Sequence, residues 1–264
     1  MKALVVTGGH SFDHDAFFAM VDAVVDGEWR HLEQPAAATR LADASIHADV
    51  VVFYDLPGVE FTRADPPVRF SEPGPEVIDG FARMTTRGVP MVFLHHAIAG
   101  WPTWDAYARM IGGRFHYAPG RFGGVDLPAS GYRFDVTHEI EVVDPDHPIC
   151  AGLDPVVTLT DELYLFPVIE SDVTPLLRSR ASFTSDEFFS ADLAVRGERD
   201  ARRGWSHPPG SALIAWARRE GNSPIVYIQS GDGPGTHRDP SYRTIVANAL
   251  RWAVASRPGH LPRG

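Results

Sequence analysis

Three short apolar runs set the frame of the chain. Ala3–Val6, Asp49–Asp55 and Pro90–Leu94 are nearly continuous in hydrophobic residues rather than alternating. Such runs fit parallel strands covered on both faces. After the first run, and again beyond the loop that follows the second, the apolar spacing changes to that of a helix. From Asp13 to Val25, the residues Phe17, Met20, Val21, Val24 and Val25 share one face. Val77, Ile78 and Phe81 do so between Pro75 and Arg87, with proline in the first turn and Gly88 as the stop. A third helix is predicted over Thr103–Ile111, capped by Thr103 and ended by Gly112-Gly113. The βαβαβα order predicts an α/β fold with a doubly wound, mostly parallel sheet and helices on both faces.

The middle of the chain is less regular. Glu60–Gly74, rich in proline and charge, reads as a loop overhanging the end of the Asp49–Asp55 strand, and is expected to act as a lid. Gly112–Gly131 also reads as loop, and Ser182–Pro209 is polar and hard to place. The four arginines among acids from Arg196 to Arg203 read as a solvated loop rather than a binding patch. Strands are predicted at His138–Val143, Leu163–Val168, Pro175–Ser179, Ala212–Ala217 and Ile225–Ile228. A last helix starts at Asp239-Pro240, with Ile245, Ala249, Trp252 and Ala253 as its buried stripe. No internal repeat or linker composition interrupts the chain. The expectation is a single domain over residues 1–256 and a frayed tail over 257–264.

Composition narrows the function classes. The 264 residues are 44% hydrophobic and 22% charged, as in ordinary globular proteins. A formal net charge of -10 argues against nucleic acid and against anionic membrane surfaces as partners. A single cysteine, Cys150, precludes an intramolecular disulfide and fits a reducing compartment. With no secretory leader pattern and no apolar run of membrane-spanning length, a cytoplasmic location is expected.

Three strand ends carry polar or glycine-rich residues: Gly8-Gly9-His10, His95-His96 and Gly231-Asp232. In a parallel sheet all three meet at one edge, where ligands bind. The glycines before His10 suit an anion, and equally a tight βα turn. The G-x-G-x-x-G pattern is missing, so no nucleotide cofactor is expected. Adjacent histidines on a strand face opposite ways, so His95 and His96 share a metal only if the strand ends between them. Zinc-type ligand spacings are absent, and a divalent metal such as zinc, held by His95 and His96, stays an open expectation. His10, His96, Asp161 and Glu162 are the candidate acid/base residues. Gly9, Trp101, His116, Asp232 and His237 are the candidate substrate contacts, Trp101 because an aromatic face in the histidine turn suits a sugar ring. Cys150 is read as a small buried hydrophobe rather than a nucleophile paired with His147.

Leu94-His95-His96-Ala97, Trp101, Tyr107, Ile111-Gly112-Gly113-Arg114-Phe115, His147-Pro148-Ile149, Gly152-Leu153, Asp161-Glu162-Leu163-Tyr164 and Arg251-Trp252-Ala253 occur in that order. This ordered set resembles ThuA-like proteins, named for trehalose utilisation, over nearly the whole chain. The resemblance implies a flavodoxin-like sandwich similar to class I glutamine amidotransferases. Those enzymes carry a catalytic cysteine at the turn that here holds His95-His96-Ala97, so glutaminase activity is not implied. What is implied is disaccharide catabolism, with disaccharides or 3-keto-glycosides as substrates for a hydrolase, lyase or isomerase. The alternative is a non-catalytic sugar-binding or partner subunit. Two departures from the family stand out: Gly231-Asp232 replaces a glycine-histidine pair, and Glu220-Gly221-Asn222-Ser223-Pro224 replaces Gly-x-Gly-Arg. Asp232 or His237 would then stand in for the missing histidine. A small carbohydrate is the expected partner, and the irregular region from Gly112 to Pro209 is the surface on which a homodimer would form.

Overall fold

The structure is a computed structural model, in which residues 1–42 and 47–259 are described. The chain begins with β1 (Lys2–Gly8), α1 (His14–Val24), β2 (Glu28–Glu33), α2 (Ala36–Ala42), β3 (Val50–Asp55), β4 (Val59–Phe61), β5 (Val68–Phe70), α3 (Pro75–Arg87), β6 (Met91–Leu94) and α4 (Asp105–Ile111). It continues through β7 (Gly120–Phe122), β8 (Val125–Leu127), β9 (Gly131–Val142), β10 (Val156–Leu165), β11 (Thr174–Ser179), β12 (Phe189–Ser190), α5 (Ala191–Val195), β13 (Leu213–Glu220), β14 (Ser223–Ile228), α6 (Pro234–Arg238) and α7 (Pro240–Ala255).

One sheet of ten strands runs in the order β10-β9-β11-β13-β14-β6-β3-β1-β2, with β12 paired to β9. The segment β14-β6-β3-β1-β2 is parallel throughout. Counted in chain order among themselves, these five strands lie 2-1-3-4-5, the flavodoxin-like arrangement whose switch point falls between β1 and β3. The continuous apolar runs have a direct cause. Ala3, Val5, Val50, Val52 and Tyr54 pack on one face with Phe17 and Met20 of α1 and Ile245 and Leu250 of α7. Leu4, Val6, Val51 and Phe53 pack on the other with Val77 and Phe81 of α3 and Tyr107 of α4. Each such large side chain taken fully out of water contributes roughly 1.5–3 kcal/mol.

The remaining strands of the main path, β13, β11, β9 and β10, are antiparallel. This half brings β10 against the chain that leaves β14. Tyr164 N–H donates to the Gln229 side-chain oxygen at 2.9 Å, and Asp161 accepts from Gly231 and Asp232. The site described below depends on this return.

Several elements differ from the sequence expectations. β2 and α2 were not foreseen; β2 is a sheet-edge strand with polar residues on both faces and only Trp29 and Leu32 half-buried, so it carries no periodic signal. The loop Glu60–Gly74 contains much of a β4–β5 hairpin, and Gly112–Gly131 contains β7–β8. Ser182–Pro209 holds β12 and α5; the Arg196–Asp192 and Arg203–Glu198 ion pairs fit its solvated character. α4 starts at Asp105 with Trp104 at its cap, not Thr103. Ile78 is exposed and Trp252 only half-buried, packed against the ring of His147. Gly88 does end α3 in the left-handed conformation (φ +68°). In the expected tail, Arg257 N–H still donates to the Val254 carbonyl, and 260–264 lie outside the described residues. Among the described residues no helix is long and apolar enough to cross a membrane.

Candidate active site

Parallel neighbours end on the same side, so the chains leaving β1, β6 and β14 meet at one edge of the sheet. The rings of His10 and His96 stack there at 3.8 Å between centroids, 16° from parallel. Asp232 Oδ1 lies 3.5 Å from His95 Nε2 and 3.8 Å from His96 Nε2. Both histidines reach this spot because β6 stops at Leu94 and a 3₁₀ turn begins at His95. His95 itself has φ +43°, a conformation that is strained for a residue with a side chain and clusters at functional sites.

His95 is completely buried. Its Nδ1–H donates to the Gln229 carbonyl at 2.5 Å, which turns Nε2 toward the acids. Nε2 stands 3.0 Å from Glu162 Oε2 and 3.0 Å from the Tyr164 hydroxyl. Burial opposes charge on this ring, but the Asp232 and Glu162 carboxylates outweigh it and lift its pKa to about 10. Burial holds His96 well below the ordinary imidazole range, aided by the His95, His10 and His237 rings. Burial likewise brings His10 down to about 4. Glu162 is pushed up by burial, which His95 only partly counters. Asp232, although burial pushes it up, is held below its usual range by its hydrogen bond to His95.

Asp161 and Glu162 divide two tasks. Opposite Glu162 the β9 strand carries one extra residue, at Phe134-Asp135, with Asp135 at φ +54°. Such a bulge interrupts the ladder and re-aims side chains near sites. Glu162 meets His95, whereas Asp161 accepts the backbone N–H groups of Gly231 at 2.6 Å, Asp232 at 3.0 Å and Glu162 at 2.9 Å. Asp161 therefore shapes the turn that carries Asp232.

Buried tyrosines tie down the same turns. Tyr227 donates to the His95 carbonyl at 3.1 Å, Tyr107 to Ala97 at 2.9 Å and Tyr54 to Gly231 at 2.8 Å. Sequence reasoning placed Tyr107 only in the family pattern and missed Tyr54, Tyr227 and Gln229. Their only signal was a polar atom at or near the end of an otherwise apolar run.

Other candidates fall in different places. Gly9 has φ +87°, and a Cβ there would meet the Leu56 carbonyl oxygen at 2.4 Å, so the turn itself requires glycine. His237 is buried behind the Asp232 turn, its Nε2–H donating to the Gly231 carbonyl at 3.0 Å. His116 is not brought into the cluster; its backbone N–H donates to the Ser130 hydroxyl, and burial, aided by the charges of Arg114 and His207, brings its ring down to about 4. Trp101 packs onto the turn at Pro57 and Gly58 instead of onto the imidazoles. Cys150 is buried and burial pushes its thiol up to about 11, which fits a packing role.

The arrangement can move protons and hold positive charge in a site largely shielded from water. Among the described residues, His95, His96, Glu162 and Asp232 each present a ligand atom within 4.8 Å of the others.

The chain is similar to two solved ThuA-like proteins. One, from Parabacteroides merdae, is 13% identical with a TM-score of 0.67, covering 99% of this chain and 93% of that one. The other, from Bacteroides uniformis, is 16% identical with a TM-score of 0.63, covering 99% and 94%. A cytoplasmic protein of Salmonella typhimurium LT2 is 12% identical with a TM-score of 0.56, covering 96% and 99%. Comparison with curated proteins finds no match. The architecture is the flavodoxin-like one, with His95-His96 at the turn that follows β6. The family model for ThuA, described as trehalose utilisation, matches residues 2–253, and the chain belongs to that family, with a carbohydrate-related role.

Proposed function

We propose that this protein is an enzyme of sugar catabolism that transfers a proton beside the carbonyl of an oxidised sugar, with 3-keto-glycosides as its substrate class. The observation that carries this reading is the stack of His10 on His96 above the buried His95–Glu162–Asp232 centre. A ketone at C3 acidifies the C2 hydrogen, so modest acid/base catalysis suffices. His10 is kept neutral by burial at pH 7 and is half-exposed, so it can accept that proton. The His95 ring beneath, whose charged form its carboxylate partners favour, would counter negative charge as the C3 oxygen becomes anionic, and pre-set charge in a shielded site is a large source of rate. The C2–H electrons then form a C1=C2 bond and expel the glycosidic oxygen. That oxygen regains the proton from His10.

The test is proton NMR of untagged protein with 3-keto-trehalose, simpler 3-keto-glucosides and the parent sugars in deuterated water. Deuterium entry at C2 or release of the second sugar from keto substrates alone, lost in His10→Ala, is the expected result. No exchange, no product and no binding across the panel would overturn the reading.

A further inference from the structure

We propose that Glu162, Asp232, His95 and His96 bind one divalent transition-metal ion of the zinc or manganese type. The inference rests on the same site as the proposed function and puts a metal ion in place of the proton on His95 Nε2.

The first argument is charge. Asp161 and Glu162 are buried, and Asp232 is two-thirds buried. Among the described residues, the ion pairs of Glu162 and Asp232 are to His95 and His96 and to no lysine or arginine. Uncompensated buried carboxylates are costly. One proton on His95 cancels a single charge of the three. A divalent ion held by Glu162 and Asp232 would cancel the charge of both, and the third carboxylate, Asp161, is met by three backbone N–H groups.

The second argument is ligand orientation. Metal-bound histidines commonly donate their other ring N–H to a backbone carbonyl or a carboxylate, which fixes the free nitrogen as the ligand. His95 does this through Nδ1–H to the Gln229 carbonyl, and its Nε2 faces both carboxylates. His96 has its Nε2 3.8 Å from Asp232 Oδ1, and its buried Nδ1 has no hydrogen-bond partner among the described residues. Asp161 fixes Asp232 through the two backbone N–H groups of its turn, and Tyr164 stands beside Glu162 and His95.

The third is size. With metal–ligand bonds of about 2.0–2.2 Å, donors on opposite sides of an ion stand about 4 Å apart. The four donors here lie within 4.8 Å, so small side-chain movements close the shell. Two imidazoles and two carboxylates suit zinc, manganese or iron rather than magnesium or calcium, which prefer all-oxygen shells. His10 stacks on His96 without being one of the four donors. It stays available for the proton, while an ion held by the four donors would polarise the carbonyl oxygen.

The experiment uses the full-length, untagged chain, stripped with chelator and re-supplied with Zn²⁺, Mn²⁺ or Co²⁺ alone. Elemental analysis after desalting, a calorimetric titration and the visible spectrum of the Co²⁺ form read occupancy, affinity and donor set. The expected result is close to one ion per chain, a raised Tm and a Co²⁺ spectrum of mixed nitrogen–oxygen ligation. Glu162→Gln and Asp232→Asn should each weaken binding at least tenfold while circular dichroism stays native, and His147→Gln should bind as wild type. If a variant unfolds, the wild-type stoichiometry and Co²⁺ spectrum still decide. Binding below a tenth of an equivalent for all three ions would overturn the inference, as would unchanged affinity in folded Glu162→Gln and Asp232→Asn. Full turnover of keto sugars by the stripped protein would overturn the metal and leave the proposed function standing. A bound metal with no sugar chemistry would do the reverse.

Discussion

The Asp161 carboxylate grips the backbone of Asp232: Oδ1 accepts the Asp232 N–H at 3.0 Å while Oδ2 accepts the neighbouring Gly231 N–H at 2.6 Å. Two adjacent acids on β10 thus act at different distances from the chemistry. Glu162 touches His95 directly, and Asp161 acts through the turn.

Replacing Asp161 by asparagine tests that division. The amide offers one acceptor where two were used, and its NH₂ would face a backbone N–H. A buried donor left unpaired costs about 1–3 kcal/mol, so Tm should fall but folding should survive. Loss of an outer-shell partner typically weakens a metal about 10–100-fold. The expected outcome is reduced metal affinity and lower kcat with KM little changed. A folded Asp161→Asn protein with wild-type affinity and kcat would show that the grip on Asp232 is immaterial.

Glycine at position 9 is predicted to be fixed by geometry rather than by a ligand. With φ +87°, any L side chain is strained by roughly 1–2 kcal/mol. Gly9→Ala also drives its methyl to 2.4 Å from the Leu56 carbonyl oxygen, whereas Gly152, at φ +79°, has nothing within 4 Å of its would-be Cβ. Urea unfolding should therefore show Gly9→Ala losing clearly more stability than Gly152→Ala. Equal losses would mean that the β1–α1 turn relaxes freely.

These cases mark what the sequence made legible. The meeting of three strand ends could be read from chain order alone, because parallel strands share an exit edge. Glu162 and Asp232 could each be suspected, but their pairing across His95 depends on β10 returning to the end of β14, which no local pattern encodes. The tyrosine tethers were invisible for the same reason: in sequence, Tyr54 and Tyr227 look like core residues, and their hydroxyls matter only through distant carbonyls. β2 was hidden by its polar faces at the sheet edge.

Asp55 gives a pH prediction away from the site. It is fully buried; Gln34 donates to one carboxylate oxygen at 2.8 Å and the other has no partner among the described residues. Burial raises its pKa to about 7, only partly offset by the Gln34 bond. The folded state thus binds the proton more tightly than the unfolded chain, whose value is near 3.9. Asp55 is harmless below about pH 4 and costs increasing stability as pH rises toward 7, levelling off above. Asp55→Asn removes that cost, and should gain on the order of 2–4 kcal/mol over wild type at pH 8. The advantage should shrink steadily toward pH 4. Parallel Tm–pH curves for the two proteins would contradict a buried, raised Asp55.

Trp101 is predicted to hold the β4–β5 hairpin rather than a sugar. Its backbone N–H donates to the Pro57 carbonyl at 2.6 Å, and its ring lies where a Gly58 Cβ would sit, 2.8 Å from Cε3. Ser71, just past β5, donates its N–H back to the Gly58 carbonyl at 3.0 Å, so ring, turn and hairpin form one unit. Removing a half-buried indole should cost about 2–3 kcal/mol, less than the 3–5 of a fully buried one. Trp101→Ala should therefore lower Tm and speed proteolytic cutting between residues 62 and 67, the hairpin tip. KM for a keto sugar should stay within about twofold, since a lost stacking contact of 1.4 kcal/mol would already shift it tenfold. An unchanged Tm with a tenfold higher KM would instead place the indole against the sugar and return Trp101 to the binding site.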